Sequence, residues 1–381
     1  MSDEEYAHAK RELLKKSPIP VLWLFGKTGS GKSTIIRYLT GVDAVEIGNG
    51  YQPQTKYSSR YSFPTESEPI LEFLDTRGLS EADYNPDEDI ASFGEEAHLL
   101  IVTVRVMDHS LPEVLIALKK IRKSSPTRPV LLVLTNLHEA YPGEQHPEID
   151  PFEEVSSPLP DGIPENLHRS LELQYKRFDG LFDHAVPIDI TPLYEGFEQP
   201  FFGGDRLKRA IIKLLPAAYR QHLIQMDEVL DPLADLVRRQ TMPTILGTSS
   251  LAATAGAVPL PWVDIPVVMG LQTHLIYKLA KIHGHPIDGK TIAKISGALG
   301  GRVAVRMALR EALKFIPWVG MAANAAAAFA MTYATGMAWN WYFTEIDKGH
   351  VPQENELKQV FEKQLLKAAD LWKSTRNENQ L

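Results

Sequence analysis

The residue types best suited to chemistry form one glycine-rich run near the start of the chain. The run reads Gly26-Lys27-Thr28-Gly29-Ser30-Gly31-Lys32-Ser33. It fits the pattern G-x-x-x-x-G-K-[ST], follows the apolar segment 21–25 and precedes the helical pattern of 34–39. In such a loop, backbone N–H groups surround a β-phosphate, the lysine reaches the β- and γ-phosphates, and the hydroxyl binds Mg²⁺. A plain Gly/Ser turn would rarely have both flanks, so we predict a site for a nucleoside triphosphate and Mg²⁺, with Lys32, Ser33 and Thr34 among its contacts.

A second motif follows the apolar segment 70–74. It reads Asp75-Thr76-Arg77-Gly78-Leu79. In the D-x-x-G pattern the aspartate holds Mg²⁺ through water and the glycine N–H senses the γ-phosphate, which makes Asp75 and Gly78 predicted nucleotide contacts. Arg77 is a candidate for stabilising charge during hydrolysis, and a solvated surface arginine is the equal alternative.

Together, the GKTGSGKS loop and the LEFLDTRGL strand resemble the translation-factor-related G domains, near their Era and septin-like branch. The resemblance implies GTP as the ligand, hydrolysis of its β–γ phosphoanhydride, and a threonine between the two motifs that ligates Mg²⁺. Thr55 fits that position best by spacing, ahead of Thr65, and an ordinary loop threonine is the alternative. The implied catalytic residues are Lys32, Thr55, Arg77 and Gly78, and the implied metal ligands are Ser33, Thr55 and Asp75.

Leu79 departs from the family pattern, because Ras-like enzymes place there the glutamine that orients the attacking water. Leucine cannot hydrogen-bond water. We therefore expect slow intrinsic hydrolysis that accelerates on partner binding or on self-association, for example as a homodimer through the G domain.

The base-recognition motif departs further. Where the family has N/T-K-x-D, the chain reads Thr135-Asn136-Leu137-His138. Thr135, Asn136 and His138 are the implied nucleotide contacts, but a neutral imidazole offers one acceptor where a carboxylate takes both guanine N–H donors. Glu139 would substitute only in a shifted register, and 187–191 is an unorthodox version of the family's S-A-K loop. GTP is expected from the rest of the domain, with ATP or relaxed specificity as the alternative.

The elements that must position these residues follow from apolar runs alternating with helical patterns. Such alternation predicts an α/β P-loop fold with a mostly parallel sheet in three α/β/α layers. The predicted strands are 21–25, 70–74, 99–104, 130–134 and 185–188, followed by a long exposed loop at 141–164 and a helix at 166–181. The predicted divisions of the chain are a charged helix at 1–17, the G domain at 18–220, an apolar all-α domain at 225–345 and an amphipathic helix with a tail at 350–381.

Residues 245–345 have an Ala-, Gly- and Pro-rich pattern that includes Pro261-Trp262 and Pro317-Trp318. On this pattern they resemble the YcjF-type domain of unknown function that accompanies bacterial G domains. Their apolar runs have the length needed to cross a bilayer; shallow hairpins and a soluble helical bundle are the alternatives. The intervening 278–314 carries eight basic residues, which suits anionic lipid on the cytoplasmic side, and a merely solvated helix face is the equal alternative.

Composition restricts the other classes. The 381 residues carry a net charge of −8, so nucleic acid is not an expected partner. Cysteine is absent, which excludes disulfides and thiolate metal sites, and the polar N-terminus shows no secretory signal. We expect a cytoplasmic, membrane-associated GTPase switch. The alternatives are a nucleotide-dependent scaffold with negligible hydrolysis and, more weakly, a small-molecule kinase.

Overall fold

The computed structural model describes most of the chain. The described residues are 3–41, 52–53, 58–66, 68–76, 86–147, 149–152, 159–191, 197, 199–216, 219–220, 223–224, 226, 236–257, 264–285 and 321–377. They form two compact units: an α/β unit of residues 20–66 and 71–220, and a helical unit of residues 1–19, 67–70 and 221–381.

The α/β unit is built on one seven-stranded sheet. Its strands are β1 Val21–Gly26, β2 Gln52–Pro53, β3 Ser58–Phe63, β4 Leu71–Thr76, β5 Leu99–Arg105, β6 Val130–Thr135 and β7 His184–Pro187. The strand order is β2-β3-β4-β1-β5-β6-β7, and all pairs from β4 to β7 are parallel. The predicted α/β fold with a mostly parallel sheet is confirmed, and all five predicted strands are present within two residues of their predicted ends.

The central strands β1 and β6 are buried at every position, as are the first six residues of β5. Strands buried on both faces read as continuous apolar runs, which is why the sequence predicts them. β3 was not predicted. It pairs antiparallel with β4, and its polar residues Ser58, Ser59 and Arg60 hide the strand pattern.

Six helices in the described sequence precede residue 220. They are α1 Asp3–Lys16, α2 Lys32–Thr40, α3 Pro86–Phe93, α4 Pro112–Ser124, α5 Glu165–Arg177 and α6 Gly204–Leu214. α2 to α6 belong to the α/β unit, whereas α1 belongs to the helical unit. A core of strand residues and apolar helix residues, including Trp23, Val114 and Leu171, holds the α/β unit together.

The helical unit continues with α7 Leu236–Ala257, α8 Asp264–Ile282, α9 Met321–Asp347 and α10 Glu354–Asn377. Small residues allow these helices to approach closely: a Cβ on Gly336 would lie 2.9 Å from side-chain atoms of Ile245 and Leu275. Within the described ranges, none of the helices combines the length and apolarity that a bilayer crossing requires. The basic residues between 286 and 314 lie outside the described residues.

A buried glutamate organises part of the helical unit. Glu68, whose side chain is 1% exposed, accepts hydrogen bonds from Lys10 (2.6 Å), Lys278 (2.8 Å) and Thr248 (2.9 Å). Burial alone would raise the pKa of Glu68, but the two lysines hold that pKa below its usual range. Lys278, which we expected on a lipid-facing basic surface, is therefore committed to an ion pair within its own unit.

Candidate functional site

The glycine-rich run begins where β1 ends. Gly26 is the last residue of β1, and a Cβ there would lie 2.2 Å from Thr103 Oγ1 and 2.5 Å from the Thr103 carbonyl oxygen. Gly29 and Gly31 have φ values of +76° and +95°, in the left-handed region that favours glycine. The backbone conformation therefore requires glycine at these positions. A loop of this conformation can direct several backbone N–H groups at one phosphate.

Lys32 opens α2 and folds back over the loop. Its side chain is buried, and Nζ donates to the carbonyl oxygens of Gly26 (2.8 Å) and Lys27 (3.0 Å). Ser33 and Thr34 follow in the first turn of α2, with Ser33 exposed. The predicted triphosphate contacts of this run therefore stand at a helix N-terminus, where the backbone favours anions.

The loop is tied to the neighbouring strands by hydroxyl groups. Ser30 Oγ lies 2.6 Å from Thr103 Oγ1 on β5, and Thr135 Oγ1 on β6 donates to the Ser30 carbonyl at 3.0 Å. Lys27 pairs with Asp108 at 3.0 Å, while Thr28 and Gly29 are exposed. Thr135, which we predicted as a base-site contact, thus also supports the phosphate loop.

Asp75 lies at the end of β4, directly beside β1. The parallel register pairs it with Leu24, and its side chain is buried. An exposed serine hydroxyl at the start of α2 and a carboxylate at the end of the adjacent strand are oxygen ligands of the kind that Mg²⁺ takes alongside phosphate. The other predicted residues of this end, Thr55, Arg77, Gly78 and Leu79, lie outside the described residues.

The predicted base motif ends β6 in a tight turn. Asn136 has φ +58°, and a short 3-10 helix covers Leu137–Ala140. The His138 backbone N–H donates to Asp189 Oδ2, and His138 Nδ1 lies 2.7 Å from the same oxygen. The two segments that depart from the family pattern, 135–138 and 187–191, therefore meet at one carboxylate.

A third residue completes this group. His146 Nε2 lies 2.9 Å from Asp189 Oδ2, and we call His138, His146 and Asp189 the base-end cluster. Burial would raise the pKa of Asp189, but hydrogen bonding from His138 and the closeness of the His146 imidazole keep that pKa below its usual range. No pattern in the sequence marks His146 as a site residue, because it stands in the Pro- and acid-rich segment that we predict to be an exposed loop.

Glu139, which could replace the base-reading aspartate only in a shifted register, makes other hydrogen bonds in the structure. Glu139 Oε1 accepts hydrogen bonds from Arg105 and from Asn136 Nδ2, the latter at 3.2 Å. Asn136, the residue in place of the family lysine, is thus hydrogen-bonded within its own turn.

The match to a known family covers the first part of the α/β unit. Residues 21–136 match the family model described as 50S ribosome-binding GTPase, a range that contains the phosphate loop and Asp75 and ends two residues before His138. Magnetosome membrane protein 22 of Magnetospirillum gryphiswaldense is 31% identical over 93 residues, which are 22% of this chain and 48% of that protein. The chain thus spans about half the length of this relative.

Among solved structures, bacterial selenocysteine-specific elongation factor EF-Sec is 18% identical, with a TM-score of 0.33. The matched region covers 51% of this chain and 28% of the EF-Sec chain. The bacterial dynamin GTPase LeoA from ETEC is 13% identical, with a TM-score of 0.39, and the match covers 100% of this chain and 91% of the LeoA chain. Neither likeness is strong enough to say anything about activity.

Proposed function

We propose that this chain binds GTP with Mg²⁺ at its phosphate loop and acts as a slow GTPase switch at a membrane surface. One observation carries the proposal: Lys32 sits buried at the start of α2 with its ammonium held by the carbonyls of Gly26 and Lys27, inside a range that matches a GTPase family. In this arrangement the ammonium group and the loop N–H groups are organised before any phosphate arrives, which lowers the entropic cost of binding.

The residue roles follow from position. Residues 26–33 and Thr34 would surround the phosphates, and Ser33 and Asp75 would hold Mg²⁺. Thr55 is proposed as the third ligand, on its spacing between the two motifs. Held there, Mg²⁺ would supply positive charge that stabilises phosphoryl transfer. Lys32 contributes a fixed positive charge to the same oxygens, and Gly78 and Arg77 are proposed to contact or stabilise the γ-phosphate.

Slow hydrolysis is proposed because leucine replaces the water-orienting residue at position 79. A second copy bound through the G domain, or another partner, would supply the missing group. The alternative is a nucleotide-dependent scaffold with negligible hydrolysis, which the same leucine and the replacement of the base-reading aspartate by His138 favour.

The membrane part of the proposal has two supports. One is the basic composition of 278–314 beside apolar segments, although Lys278 is engaged with Glu68. The other is the partial similarity to a protein named for a magnetosome membrane. An anionic lipid surface contacted through residues 245–345 from the cytoplasmic side is the partner that this composition fits.

Phosphate release from GTP and Mg²⁺ tests both parts. It is measured at low and high protein concentration, alone, with neutral vesicles and with vesicles containing anionic lipid. We expect the rate of phosphate release per molecule to rise with protein concentration, or to rise with anionic vesicles but not with neutral ones. GTP binding with no phosphate release in any condition would select the scaffold, and a fast rate that is the same in all conditions would contradict the switch.

A further inference from the structure

We propose that the base-end cluster binds a divalent transition-metal ion of the Zn²⁺ class through His138, His146 and Asp189. The cluster brings two imidazoles and one carboxylate together, with one ligand atom of each lying within 4.8 Å of the others. Two histidines and a carboxylate with open positions form a donor set found in zinc and non-haem iron sites. None of these three residues is a proposed Mg²⁺ ligand.

The distances within the cluster are slightly shorter than those between ligand atoms around a bound ion. Asp189 Oδ2 lies 2.7 Å from His138 Nδ1 and 2.9 Å from His146 Nε2. Around a tetrahedral ion with bonds of about 2.0–2.1 Å, neighbouring ligand atoms are about 3.3 Å apart. Each of these two contacts with Asp189 would therefore lengthen by about half an ångström around a bound ion.

His146 gives the clearest independent sign of a ligand. Its side chain is 1% exposed, and its Nε2 forms no well-aligned hydrogen bond with the described residues although Asp189 is close. Its Nδ1 lies 3.2 Å from the Gln199 carbonyl oxygen. An Nδ1–H that donates to this carbonyl leaves a lone pair on Nε2, and this second hydrogen bond is the usual way in which proteins orient a metal-binding histidine.

Aromatic packing fixes the ring in place. Phe202 and Phe197 both stack on the His146 imidazole, with ring centroids 4.6 Å and 5.1 Å away. A histidine held by two rings and one carbonyl loses little further freedom on binding an ion. A buried nitrogen without a good partner is costly unless something occupies it.

The donor types select the ion. Imidazole nitrogen suits Zn²⁺, Fe²⁺ and Co²⁺, whereas Mg²⁺ and Ca²⁺ prefer all-oxygen sites. Asp189 supplies one negative charge from a buried position, which partly balances a divalent ion. The inference does not rest on the proposed GTP binding, because the cluster is complete without nucleotide.

The test uses the full chain, stripped with a chelator and free of nucleotide. Zn²⁺ is titrated against a chromophoric chelator, and Co²⁺ is followed by its visible d–d absorption. We expect one ion per chain. His146→Gln and Asp189→Asn should each weaken binding by more than about 100-fold, since even outer partners of metal ligands are worth 10–100-fold. His168→Ala, at a side chain 40% exposed on α5, should bind as wild type.

A measurement on the unaltered protein guards against variants that misfold. Long-range ¹H–¹⁵N spectra of the histidine side chains should show His138 and His146 shifting on addition of one equivalent of Zn²⁺, with the other histidines unchanged. Stoichiometric binding together with those shifts supports the site. The proposal is overturned if Zn²⁺ does not bind, if His146→Gln binds it as tightly as wild type, or if the shifts fall on other histidines.

Discussion

The phosphate loop at residues 26–33, here called the phosphate end, differs in its construction from the base end, which holds the base-end cluster. At the phosphate end, one continuous run of eight residues supplies the backbone curve and the lysine that folds back onto it. At the base end, residues 138, 146 and 189 come from three separate segments and meet only after the chain has folded. The first end is specified by local sequence, and the second by tertiary packing.

This difference indicates which part of the site can vary within one fold. The loop is constrained at Gly26 by its close approach to Thr103 and at Gly29 and Gly31 by positive φ values, so its glycine pattern is recognisable in the sequence. The base end is a set of side chains on loops, which can exchange without disturbing the sheet. We therefore attribute triphosphate binding to the loop and regard the base end as the place where this chain differs from the family pattern.

The largest expected effect removes the lysine from the phosphate end. Lys32→Ala should weaken GTP binding by about 100-fold or more, because hydrogen bonds to charged groups contribute about 1.5–3 kcal/mol each. Titration with a fluorescent GTP analogue measures this. Lys120→Ala, at an exposed lysine on α4 paired with Asp87, is the control and should bind as wild type. Equal GTP affinity in the two variants would contradict the proposal that the phosphate loop binds GTP.

The second effect concerns the backbone path. Gly26→Ala should lower the free energy of unfolding by about 3 kcal/mol, the upper range for overpacking, because the added Cβ would meet the Thr103 backbone. Gly29→Ala adds a Cβ to open space but at φ +76°, which should cost about 1 kcal/mol. Urea denaturation compares the two. If Gly26→Ala were no less stable than Gly29→Ala, the close approach of β1 and β5 would be wrong.

The third expected effect is stabilisation of the nucleotide-free chain by a metal ion bound at the base-end cluster. Zn²⁺ at about 100 times its dissociation constant should stabilise the chain by about 2.7 kcal/mol. Thermal unfolding should then shift upward with Zn²⁺ and return with a chelator, while Mg²⁺ has no such effect. The shift should vanish in His146→Gln. A Zn²⁺ shift that persists in that variant would place the stabilising ion elsewhere.

The sequence predicted the phosphate end well because its chemistry is local. A loop that requires glycine at fixed positions, between an apolar strand and a helix, leaves a pattern that can be read without a structure. The central strands were predictable for a related reason, since strands buried on both faces are continuous apolar runs. Strand β3 was not predictable, because it begins with the polar residues Ser58, Ser59 and Arg60.

Residues whose role depends on distant partners could not be predicted. No pattern marks Glu68 in the sequence, yet it is buried and paired with Lys10 and Lys278, which are 58 and 210 residues away along the chain. His146 likewise reads as a loop residue, and its burial depends on Phe202. His138 was recognised as a departure from the family motif, but its partner Asp189 was known only as part of an unorthodox loop.

The most direct test of the account is competition between GTP and ATP for the same site. The variants are His138→Asp, the pair His138→Asp with Asp189→Ser, and Asp189→Ser alone. The pair avoids placing two carboxylates side by side, and Asp189→Ser controls for loss of the cluster.

We predict that wild type binds both triphosphates with GTP preferred by less than about tenfold, the free-energy equivalent of about 1.4 kcal/mol. The paired variant should raise the GTP preference by about tenfold, because a carboxylate takes both guanine N–H donors, and Asp189→Ser alone should not. A wild type that already selects GTP strongly, and loses that selectivity in the paired variant, would contradict the account, since guanine would then be read by the residues that we regard as the departure.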